Sequence, residues 1–518
     1  MGRPDAISRL SSLVQRDGAV APDATRQTPP PPTPSPAPKR RSPLRRAVRI
    51  GFGAISWGVL MFGVALATAA IFWIALAAVL LGSAPQGTAI VGLAIVLAFS
   101  GALYWLVTRC GTPKRIAGRV VGLTATVLLL AGAVWAASSR DDALFLARDM
   151  AWGESDVLDY RKFPARTVEN AGPVFKFKSR PAPERFQSIT YTVDGEARQA
   201  PLDDLLRSTN TTSFIVIKND AILYERYFNG YKRDSIVTSF SVAKSVTSAV
   251  VGIAIDEGFI RSVDDPIIEY LPEMRGRGLD GVTIGGLLLM STGIKFVQDE
   301  DLGDLRELWP FRDVSLAYSY PNLRSLALGL PPSDEPAGAA FNYNPYHPLL
   351  LGMILERTTH RPVAQYLQEK IWQPLGMEYP ASWSLDSETD GFEKMESGLN
   401  ARAIDFAKLG RLFLENGRWH GKQVISKQWV TASTAPDPSD HRPFLSYADW
   451  KAAGGYYKYM WWGMPTADGG YYYSARGHLG QLISVFPKDR LVIVRFGRNE
   501  NGVDSWDEVI ETIAAKAR

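Results

Sequence analysis

The first third of this 518-residue chain contains a long stretch without a charged side chain. Positions 50–108 are 59 consecutive residues, none of which is Asp, Glu, Lys or Arg. A turn-like segment at 82–87 divides this stretch into apolar spans of about 51–81 and 89–108, and a third apolar span covers about 120–138. Each span reaches the roughly 17 to 25 residues that a helix needs to cross a bilayer. We therefore predict three transmembrane helices rather than a buried hairpin in a water-soluble protein.

The basic residues around these spans lie on one side of the predicted membrane. They precede the first span and also separate the second from the third: Lys39, Arg40, Arg41, Arg45, Arg46 and Arg49, then Arg109, Lys114, Arg115 and Arg119. By the positive-inside rule the N-terminus is cytoplasmic, and three crossings place the C-terminal part outside. The sequence thus predicts a multi-pass protein of a bacterial cytoplasmic (inner) membrane, with the lipid bilayer as a partner and a periplasmic or extracellular C-terminal domain.

Charge divides the chain near the same place. Residues 1–140 contain 15 Lys/Arg and 3 Asp/Glu, whereas residues 141–518 contain 42 and 50. The Pro-rich beginning cannot bury enough apolar surface to become ordered. We predict four parts in chain order: a disordered, basic cytoplasmic tail at 1–48, a three-helix membrane anchor at 49–139, a connecting segment at 140–185 and a folded domain at 186–518. The single cysteine, Cys110, belongs to the anchor, so the exported domain contains no thiol.

The exported domain has extended patterns near both ends and helical patterns between them. Two strands, 213–218 and 221–228, are joined by the turn residues Asn219 and Asp220. Residues from about 240 to 435 follow helical patterns. After them come four extended segments and a final amphipathic helix: 456–462, 471–474, 481–486, 491–496 and 505–515. This order predicts an α+β domain, in which an antiparallel sheet is built from both ends and a helical lobe is inserted between them.

Several common kinds of site are not expected from this sequence. The five histidines are scattered, there is one cysteine, and no H-E-x-x-H motif occurs, so we predict no metal site and no cofactor. No G-x-S-x-G, P-loop or strand-linked G-x-G-x-x-G motif occurs either. The exported domain is acidic, and topology explains the basic residues, so no nucleic-acid partner is expected.

One short motif, Ser241-Val-Ala-Lys244, can carry chemistry. The residues that follow, 245–255, are apolar on nearly every face, which predicts a buried helix with Ser241 at its start. Residues three apart share a helix face, so Lys244 comes within reach of the Ser241 hydroxyl. Burial favours the neutral amine, which can accept a proton from serine. A serine at a helix start is also a common N-cap, and from the motif alone both interpretations remain open.

A series of further segments accompanies this motif along more than half of the chain. In order, they are Lys218–Tyr227, Ser241–Gly258, Asp264–Pro266, Tyr270–Glu273, Leu287–Gly293, Phe341–Tyr343, Leu350–Gly352, Ala403–Leu414 and Gly477–Gln481. Together they resemble the serine β-lactamase and penicillin-binding-protein superfamily, in particular its class C β-lactamase-like serine hydrolases, a branch with esterases and 6-aminohexanoate-dimer hydrolases. The resemblance implies a β-lactamase-like fold for the exported domain.

The resemblance also implies roles for three residues of the proposed chemistry. Ser241 corresponds to the acylated nucleophile and Lys244 to its general base. Tyr343 corresponds to the tyrosine that passes a proton to the leaving group and helps to activate the deacylating water. Without the family context, Tyr343 would be read as a core aromatic residue.

A third element follows near the C-terminus. His478 and Gly480 correspond to the ends of the family's three-residue motif beside the substrate, and the amides of Ser241 and Gln481 to its oxyanion hole. A histidine at the end of a strand can also be merely exposed, which is the alternative for His478.

Two positions depart from the family's pattern. Pro345 stands where the tyrosine element has an asparagine, and Asn342 or Asn344 could take its place. His478 replaces a lysine and is a poorer clamp for a substrate carboxylate. Both changes favour an esterase or amidase of neutral or small substrates over a dedicated β-lactamase or carboxypeptidase.

These residues predict a membrane-anchored serine hydrolase, which cleaves a small-molecule ester or amide through a Ser-Lys-Tyr acyl-enzyme mechanism outside the cytoplasmic membrane. An alternative is an acylatable β-lactam or peptidoglycan sensor, or a penicillin-binding-like protein with little turnover, although residues 1–48 hold no effector motif. An inactive scaffold is a third interpretation. It is the least favoured, because Ser241, Lys244 and Tyr343 are all present.

Overall fold

The computed structural model describes residues 140–296 and 313–518. The predicted tail at 1–48 and the predicted anchor at 49–139, with its three membrane spans, lie outside the described residues. Within the two described ranges, no helix is both long and apolar enough to cross a bilayer. The transmembrane helices therefore remain predictions.

Most helices of the described ranges lie between residues 202 and 434. The α-helices are α1 (Arg140–Trp152), α2 (Leu202–Ser208), α3 (Val242–Asp256), α4 (Ile284–Leu288), α5 (Asp313–Ser319), α6 (Leu323–Leu328), α7 (Tyr346–Thr359), α8 (Val363–Leu367), α9 (Ala403–Leu414), α10 (Lys427–Thr434), α11 (Ala448–Ala452) and α12 (Trp506–Ala517).

The strands of the described ranges come from both ends of the domain and from two places in its middle. They are β1 (Ala165–Val168), β2 (Lys178–Ser179), β3 (Ile189–Val193), β4 (Glu196–Ala200), β5 (Thr211–Lys218), β6 (Ala221–Tyr227), β7 (Val237–Thr238), β8 (Ala381–Ser384), β9 (Leu399–Ala401), β10 (Arg418–Trp419), β11 (Lys422–Gln423), β12 (Tyr456–Lys458), β13 (Trp461–Pro465), β14 (Tyr471–Gly477), β15 (Gln481–Phe486) and β16 (Leu491–Gly497).

Among the described residues, the main sheet has eight strands in the order β12-β13-β14-β15-β16-β5-β6-β2. Neighbouring strands are antiparallel except for the short β2, which lies parallel to β6. The sheet thus joins strands from before the helical lobe to strands from after it. The predicted α+β architecture is confirmed. A second sheet, of order β1-β8-β9-β7, combines two strands of the lobe with two strands that precede it, and the sequence pattern did not predict it.

Two hairpin turns of the main sheet differ in how visible they are in the sequence. Asn219 and Asp220 both have positive φ, 49° and 61°, as a two-residue turn between antiparallel strands requires, so the predicted hairpin is confirmed. Tyr459 and Met460 also have positive φ, 40° and 66°, and they reverse the chain between β12 and β13. The single strand predicted for 456–462 is therefore wrong. The sequence did not reveal this turn, because neither tyrosine nor methionine is a typical turn former.

The main sheet is buried on both faces. Along β16, Val492 and Val494 point into one cluster of apolar residues with α3, whereas Leu491 and Ile493 point into a second cluster with α2 and α12. This alternation follows from the two-residue period of a strand. A central strand with apolar residues on both sides is the expected result.

Helix α3 lies at the centre of the molecule, as the sequence predicts. Every residue from Val242 to Ala254 is buried. The helix packs against α7 on one side and against β14 and β15 of the main sheet on the other. Residues at the start of α3 are consequently fixed between the sheet and the helical lobe.

Candidate active site

Ser241 directly precedes α3, three residues after β7 ends. The residue before it, Phe240, has a positive φ of 47°, which turns the chain sharply into the helix. Ser241 occupies the N-cap position, but its side chain makes no capping hydrogen bond. Of the two interpretations of the motif, the cap is therefore not realised, and the hydroxyl is available for other contacts.

Lys244 lies one helical turn further along α3 and is 2% exposed. Its Nζ is 2.8 Å from the Ser241 Oγ and 2.9 Å from the backbone carbonyl oxygen of Glu396. Burial lowers the pKa of the Lys244 amine from its ordinary value to about 7, although the negative charge of Glu396 acts in the opposite direction. Near neutral pH a large fraction of this lysine is therefore an uncharged amine that can accept the serine proton.

Tyr343 completes the group. Its phenol interacts with the Ser241 side chain, and burial raises the pKa of the phenol above its ordinary value, so this tyrosine is uncharged. Lys244 Nζ lies 5.0 Å from the centre of the Tyr343 ring. The backbone N–H of Tyr343 donates to Ser446 Oγ at 2.9 Å, which ties the tyrosine to the loop before α11. The three side chains named from the sequence are thus in mutual contact.

Glu396 is a residue that the sequence motifs did not reveal. Besides its carbonyl oxygen, which Lys244 contacts, its buried carboxylate accepts hydrogen bonds from Lys394 Nζ at 2.9 Å and Ser397 Oγ at 2.7 Å. Glu396 lies in a polar segment between Phe392 and Leu399, which also contains Glu393 and Lys394. Such a segment predicts neither burial nor proximity to Lys244.

Pro345 replaces the family's asparagine, and neither neighbouring asparagine takes over its contact with Lys244 among the hydrogen bonds of the described residues. The Asn344 side chain accepts from the Tyr346 N–H at 2.9 Å and donates to the Ile294 carbonyl at 3.4 Å. Asn342 donates its backbone N–H to the Met290 carbonyl at 2.8 Å. Asn344 therefore helps to start α7, and the Glu396 carbonyl is the second partner of Lys244.

His478 lines the same cavity as Ser241 and Tyr343. Its ring meets the ring of Phe240 edge-on, with centroids 5.5 Å apart. It follows Gly477, the last residue of β14, which packs closely against the nucleophile: a Cβ on Gly477 would lie 2.4 Å from the Ser239 carbonyl oxygen and 3.2 Å from the Ser241 amide nitrogen. The end of β14 is thus pressed against the backbone of the serine.

Gly480 and Gln481 follow His478 at the turn between β14 and β15 and are held by hydrogen bonds. The Gly480 N–H donates to a Glu500 carboxylate oxygen at 3.1 Å. The buried side chain of Gln481 donates to the carbonyls of His478 and Gly497 at 2.9 and 2.8 Å. These contacts fix the turn that carries His478. The participation of the Gln481 amide in an oxyanion hole stays a prediction.

Arg495 supports the same turn from inside the sheet and was not singled out in the sequence. It is fully buried, and its guanidinium donates to the carbonyls of Gly480, Thr209 and Asn499 at 2.7, 3.1 and 3.0 Å. Burial lowers its pKa from the ordinary value to about 9. A buried arginine satisfied mainly by carbonyl oxygens holds several chain segments in one arrangement.

The four side chains Ser241, Lys244, Tyr343 and His478 line one cavity of about 820 Å³. Helices α1 and α5 form part of its wall, together with residues Gly153, Glu154 and Ser155 after α1. The segment predicted as a mere connection, 140–185, thus contributes to the cavity. Within residues 140–296 and 313–518, no three His, Cys, Asp or Glu side chains are grouped as a metal site requires.

Comparison with known proteins places this fold and site in a family. The sequence profile of the beta-lactamase family matches residues 202–516. The chain belongs to the beta-lactamase family, and it is a serine hydrolase of that family.

Individual relatives are distant. The chain is 28% identical to 6-aminohexanoate-dimer hydrolase of Paenarthrobacter ureafaciens over 312 residues, which are 58% of this chain and 76% of that protein. It is 30% identical to esterase EstB of Burkholderia gladioli over 181 residues, 32% of this chain and 44% of the esterase, so it spans less than half of that relative. A Bacillus anthracis structure assigned as a 6-aminohexanoate-dimer hydrolase has a TM-score of 0.56 at 23% identity, covering 71% of this chain and 92% of the other. This last likeness supports the fold alone.

Proposed function

We propose that this protein is a membrane-anchored esterase or amidase, which cleaves small uncharged substrates through a Ser241 acyl-enzyme outside the cytoplasmic membrane. The observation that carries the chemistry is the contact between a lysine with a pKa of about 7 and the hydroxyl of a serine that caps nothing, at 2.8 Å. The names of the two curated relatives, an amide hydrolase and an esterase, support the reaction class.

Acylation begins with proton transfer from the Ser241 hydroxyl to the neutral Lys244 amine. The Ser241 Oγ forms a bond to the substrate carbonyl carbon, and the carbonyl oxygen becomes an oxyanion. The Ser241 N–H, at the start of α3, is a suitable donor to this oxyanion. The Glu396 carbonyl accepts an N–H of Lys244 and holds the amine beside Ser241, where the neutral form can present its lone pair to the serine hydroxyl.

Collapse of this intermediate breaks the bond to the leaving group. The proton held by Lys244 reaches the leaving oxygen or nitrogen through the Tyr343 hydroxyl, which contacts Ser241. Because the pKa of Tyr343 is raised, it acts as an uncharged relay that gives one proton as it takes another. Water then attacks the acyl-enzyme, the same groups remove its proton, and Ser241 is released with its hydroxyl restored.

Covalent labelling tests this chemistry on the full-length protein. A fluorophosphonate should add one adduct to the wild-type chain, detected by intact mass, and Ser241→Ala should take up none. A panel of p-nitrophenyl esters, short amides, a D-alanyl peptide and a penicillin then identifies the reaction. Failure of the folded wild type to form any adduct would exclude the mechanism, and an adduct that persists without turnover would favour the sensor alternative.

The membrane anchor is a separate part of the proposal. It rests on the three apolar spans at about 51–81, 89–108 and 120–138 and on the basic residues that flank them. Reporter fusions after residues 48, 86, 116 and 139 of the chain test it. We expect cytoplasmic reporter activity at the first and third positions and external activity at the second and fourth. Any other alternation contradicts the topology.

A further inference from the structure

Three large apolar side chains that line the catalytic cavity are also exposed to solvent. Seven large apolar side chains are exposed within the described residues: Leu144, Met150, Val174, Phe259, Val314, Leu445 and Tyr447. Three of them, Met150, Val314 and Tyr447, line the cavity and are 71%, 45% and 51% exposed. We call these three residues the apolar rim. They come from α1, α5 and the position before α11, so no single helix explains their exposure. An exposed apolar patch at a site marks a surface that binds an apolar group.

The apolar rim continues into the cavity. Phe240, Phe296, Ala317 and Pro345 line the same cavity as the rim and Ser241. The cavity volume of about 820 Å³ is within the roughly 300–1,000 Å³ of pockets that hold drug-sized ligands. A small acyl group such as acetyl would fill only a fraction of it. The shape therefore favours a substrate with an extended apolar group.

The charges of the cavity wall select against an anionic substrate. Asp149, Glu154 and Glu396 line the cavity, whereas Lys244 is the sole lysine or arginine among its described lining residues. Lys244 is also the base that must be uncharged to act. The Glu396 carboxylate is already paired with Lys394, so the deciding feature is that the described lining residues offer no fixed cation with which a substrate carboxylate could pair.

The rim is connected to the catalytic tyrosine. The ring of Tyr447 packs edge-on against that of Tyr343, with centroids 5.6 Å apart. Tyr447 has a positive φ of 58°, a backbone conformation that is unusual for an aromatic residue. The preceding Ser446 accepts the Tyr343 N–H at 2.9 Å. A strained residue next to a reacting group is held there by its surroundings, which is typical of a functional position.

From these observations we infer that the natural substrate is an uncharged ester or amide with an extended apolar acyl chain, and that the rim formed by Met150, Val314 and Tyr447 covers this chain. The inference rests on the proposed serine hydrolase function and specifies its substrate. A half-covered methylene gains about half of the transfer free energy of a buried one, so each added methylene should raise kcat/KM about twofold.

Chain-length profiles of the full-length protein test the inference. We would measure kcat/KM for p-nitrophenyl acetate, butyrate, hexanoate and octanoate below their micelle-forming concentrations. The octanoate-to-acetate ratio should be about 50 in the wild type. In the triple variant Met150→Gln, Val314→Thr and Tyr447→Asn it should fall about tenfold, since the rim becomes polar while asparagine still tolerates a positive φ.

Val174→Thr is the matched control. Val174 is 45% exposed, as Val314 is, but it does not line the cavity, so the same change of valine to threonine should leave the profile as in the wild type. A flat profile in a wild type that hydrolyses the acetate would overturn the inference, as would an unaltered ratio in the triple variant. Absence of turnover with every ester, together with absence of a Ser241 adduct, would instead contradict the proposed function.

A charged analogue of the octanoate ester tests the part of the inference that concerns substrate charge. The p-nitrophenyl monoester of octanedioic acid has the chain length of the octanoate but ends in a carboxylate. We expect its kcat/KM to be at least about tenfold lower than that of the octanoate. Equal rates for the two esters would exclude the part of the inference that concerns charge.

Discussion

Two buried helices of this protein carry the same spacing of a polar residue and a lysine, with opposite consequences. Ser241 at the N-cap of α3 and Lys244 within that helix are three residues apart, and so are Asp405 and Lys408 in α9. Lys408 Nζ lies 3.2 Å from an Asp405 carboxylate oxygen and 4.0 Å from one of Glu378. Lys244 contacts a hydroxyl and a carbonyl instead. The role of such a pair therefore depends on the group that the lysine contacts, which is a carboxylate in one case and a hydroxyl in the other.

The physical difference is the charge at the partner. Burial lowers the pKa of both lysines, and nearby carboxylates oppose this effect in both, but Asp405 and Glu378 contact Lys408 through their carboxylates, whereas Glu396 contacts Lys244 through its backbone carbonyl. An ion pair buried in this way holds chain segments together, and Lys408 also donates to the Gly376 carbonyl at 2.9 Å. A lysine beside a hydroxyl can lose its proton and gain one again. The first arrangement suits structure and the second suits catalysis.

Replacing each lysine by methionine is the strongest way to break this comparison. Lys244→Met should reduce kcat/KM by about 10⁴-fold or more, because no base remains, with little effect on thermal stability. Lys408→Met should destabilise the fold by about 3–5 kcal/mol, because it leaves the buried Asp405 carboxylate unpaired. Ester hydrolysis and thermal unfolding of both variants provide the measurement. Similar losses of stability in the two would show that Lys244 is also structural.

Tyr343 has no counterpart in the α9 pair, so its removal sharpens the contrast. Tyr343→Phe keeps the ring packing but deletes the hydroxyl that contacts Ser241, and kcat should fall about 10²–10³-fold. The loss should be smaller for p-nitrophenyl esters than for amides, since a good leaving group needs less help from an acid. Tyr457→Phe, a buried tyrosine that packs on Tyr343, is the control and should stay within a fewfold of the wild type. Equal losses in both would argue against a proton relay.

The backbone beside Ser241 can be disturbed without changing any of its side-chain partners. Gly477→Ala would place a Cβ 2.4 Å from the Ser239 carbonyl oxygen and 3.2 Å from the Ser241 nitrogen, so the backbone must shift next to the Ser241 amide. We expect kcat to fall about tenfold through weaker oxyanion binding. Gly281→Ala is the control, because its Cβ would meet nothing within 4 Å. A fully active Gly477→Ala protein would indicate that the Ser241 amide position is not critical.

The smallest effect concerns pH. With a pKa of about 7 for Lys244, the neutral amine is the active form, so kcat/KM should rise with pH through an inflection near 7. The charge of Glu396 raises the pKa of Lys244, and Glu396→Gln should therefore move this inflection to lower pH and increase relative activity below it. Ser397→Ala removes a neighbouring hydrogen bond but no charge and should leave the inflection in place. A shift to higher pH in Glu396→Gln would contradict the assigned electrostatics.

Much of the fold, and one contact of the candidate active site, could be predicted from local sequence patterns. The hairpin at Asn219 and Asp220, the strands β15 and β16 and the buried helix α3 follow from turn residues and periodicity that act within a few positions. The reach from Lys244 to Ser241 follows from helix geometry in the same way.

Features that depend on distant contacts could not be predicted. The Glu396 carbonyl meets Lys244 across 152 positions, and a backbone atom leaves no signal in residue identity. Arg495 looks like a surface residue of a strand, yet it is buried by carbonyl oxygens from four other positions. The Tyr459–Met460 turn lacks turn-forming residues because tertiary packing imposes it.

The wall that α1 and residues 153–155 give to the cavity has a practical consequence. The family match begins at residue 202, and the sequence placed the domain boundary at 186. A soluble fragment cut at either position would keep Ser241, Lys244 and Tyr343 but would open one side of the cavity, removing Met150 and Glu154. Such a fragment could give misleading substrate profiles even when fully folded. Expression fragments of this enzyme should begin no later than Arg140.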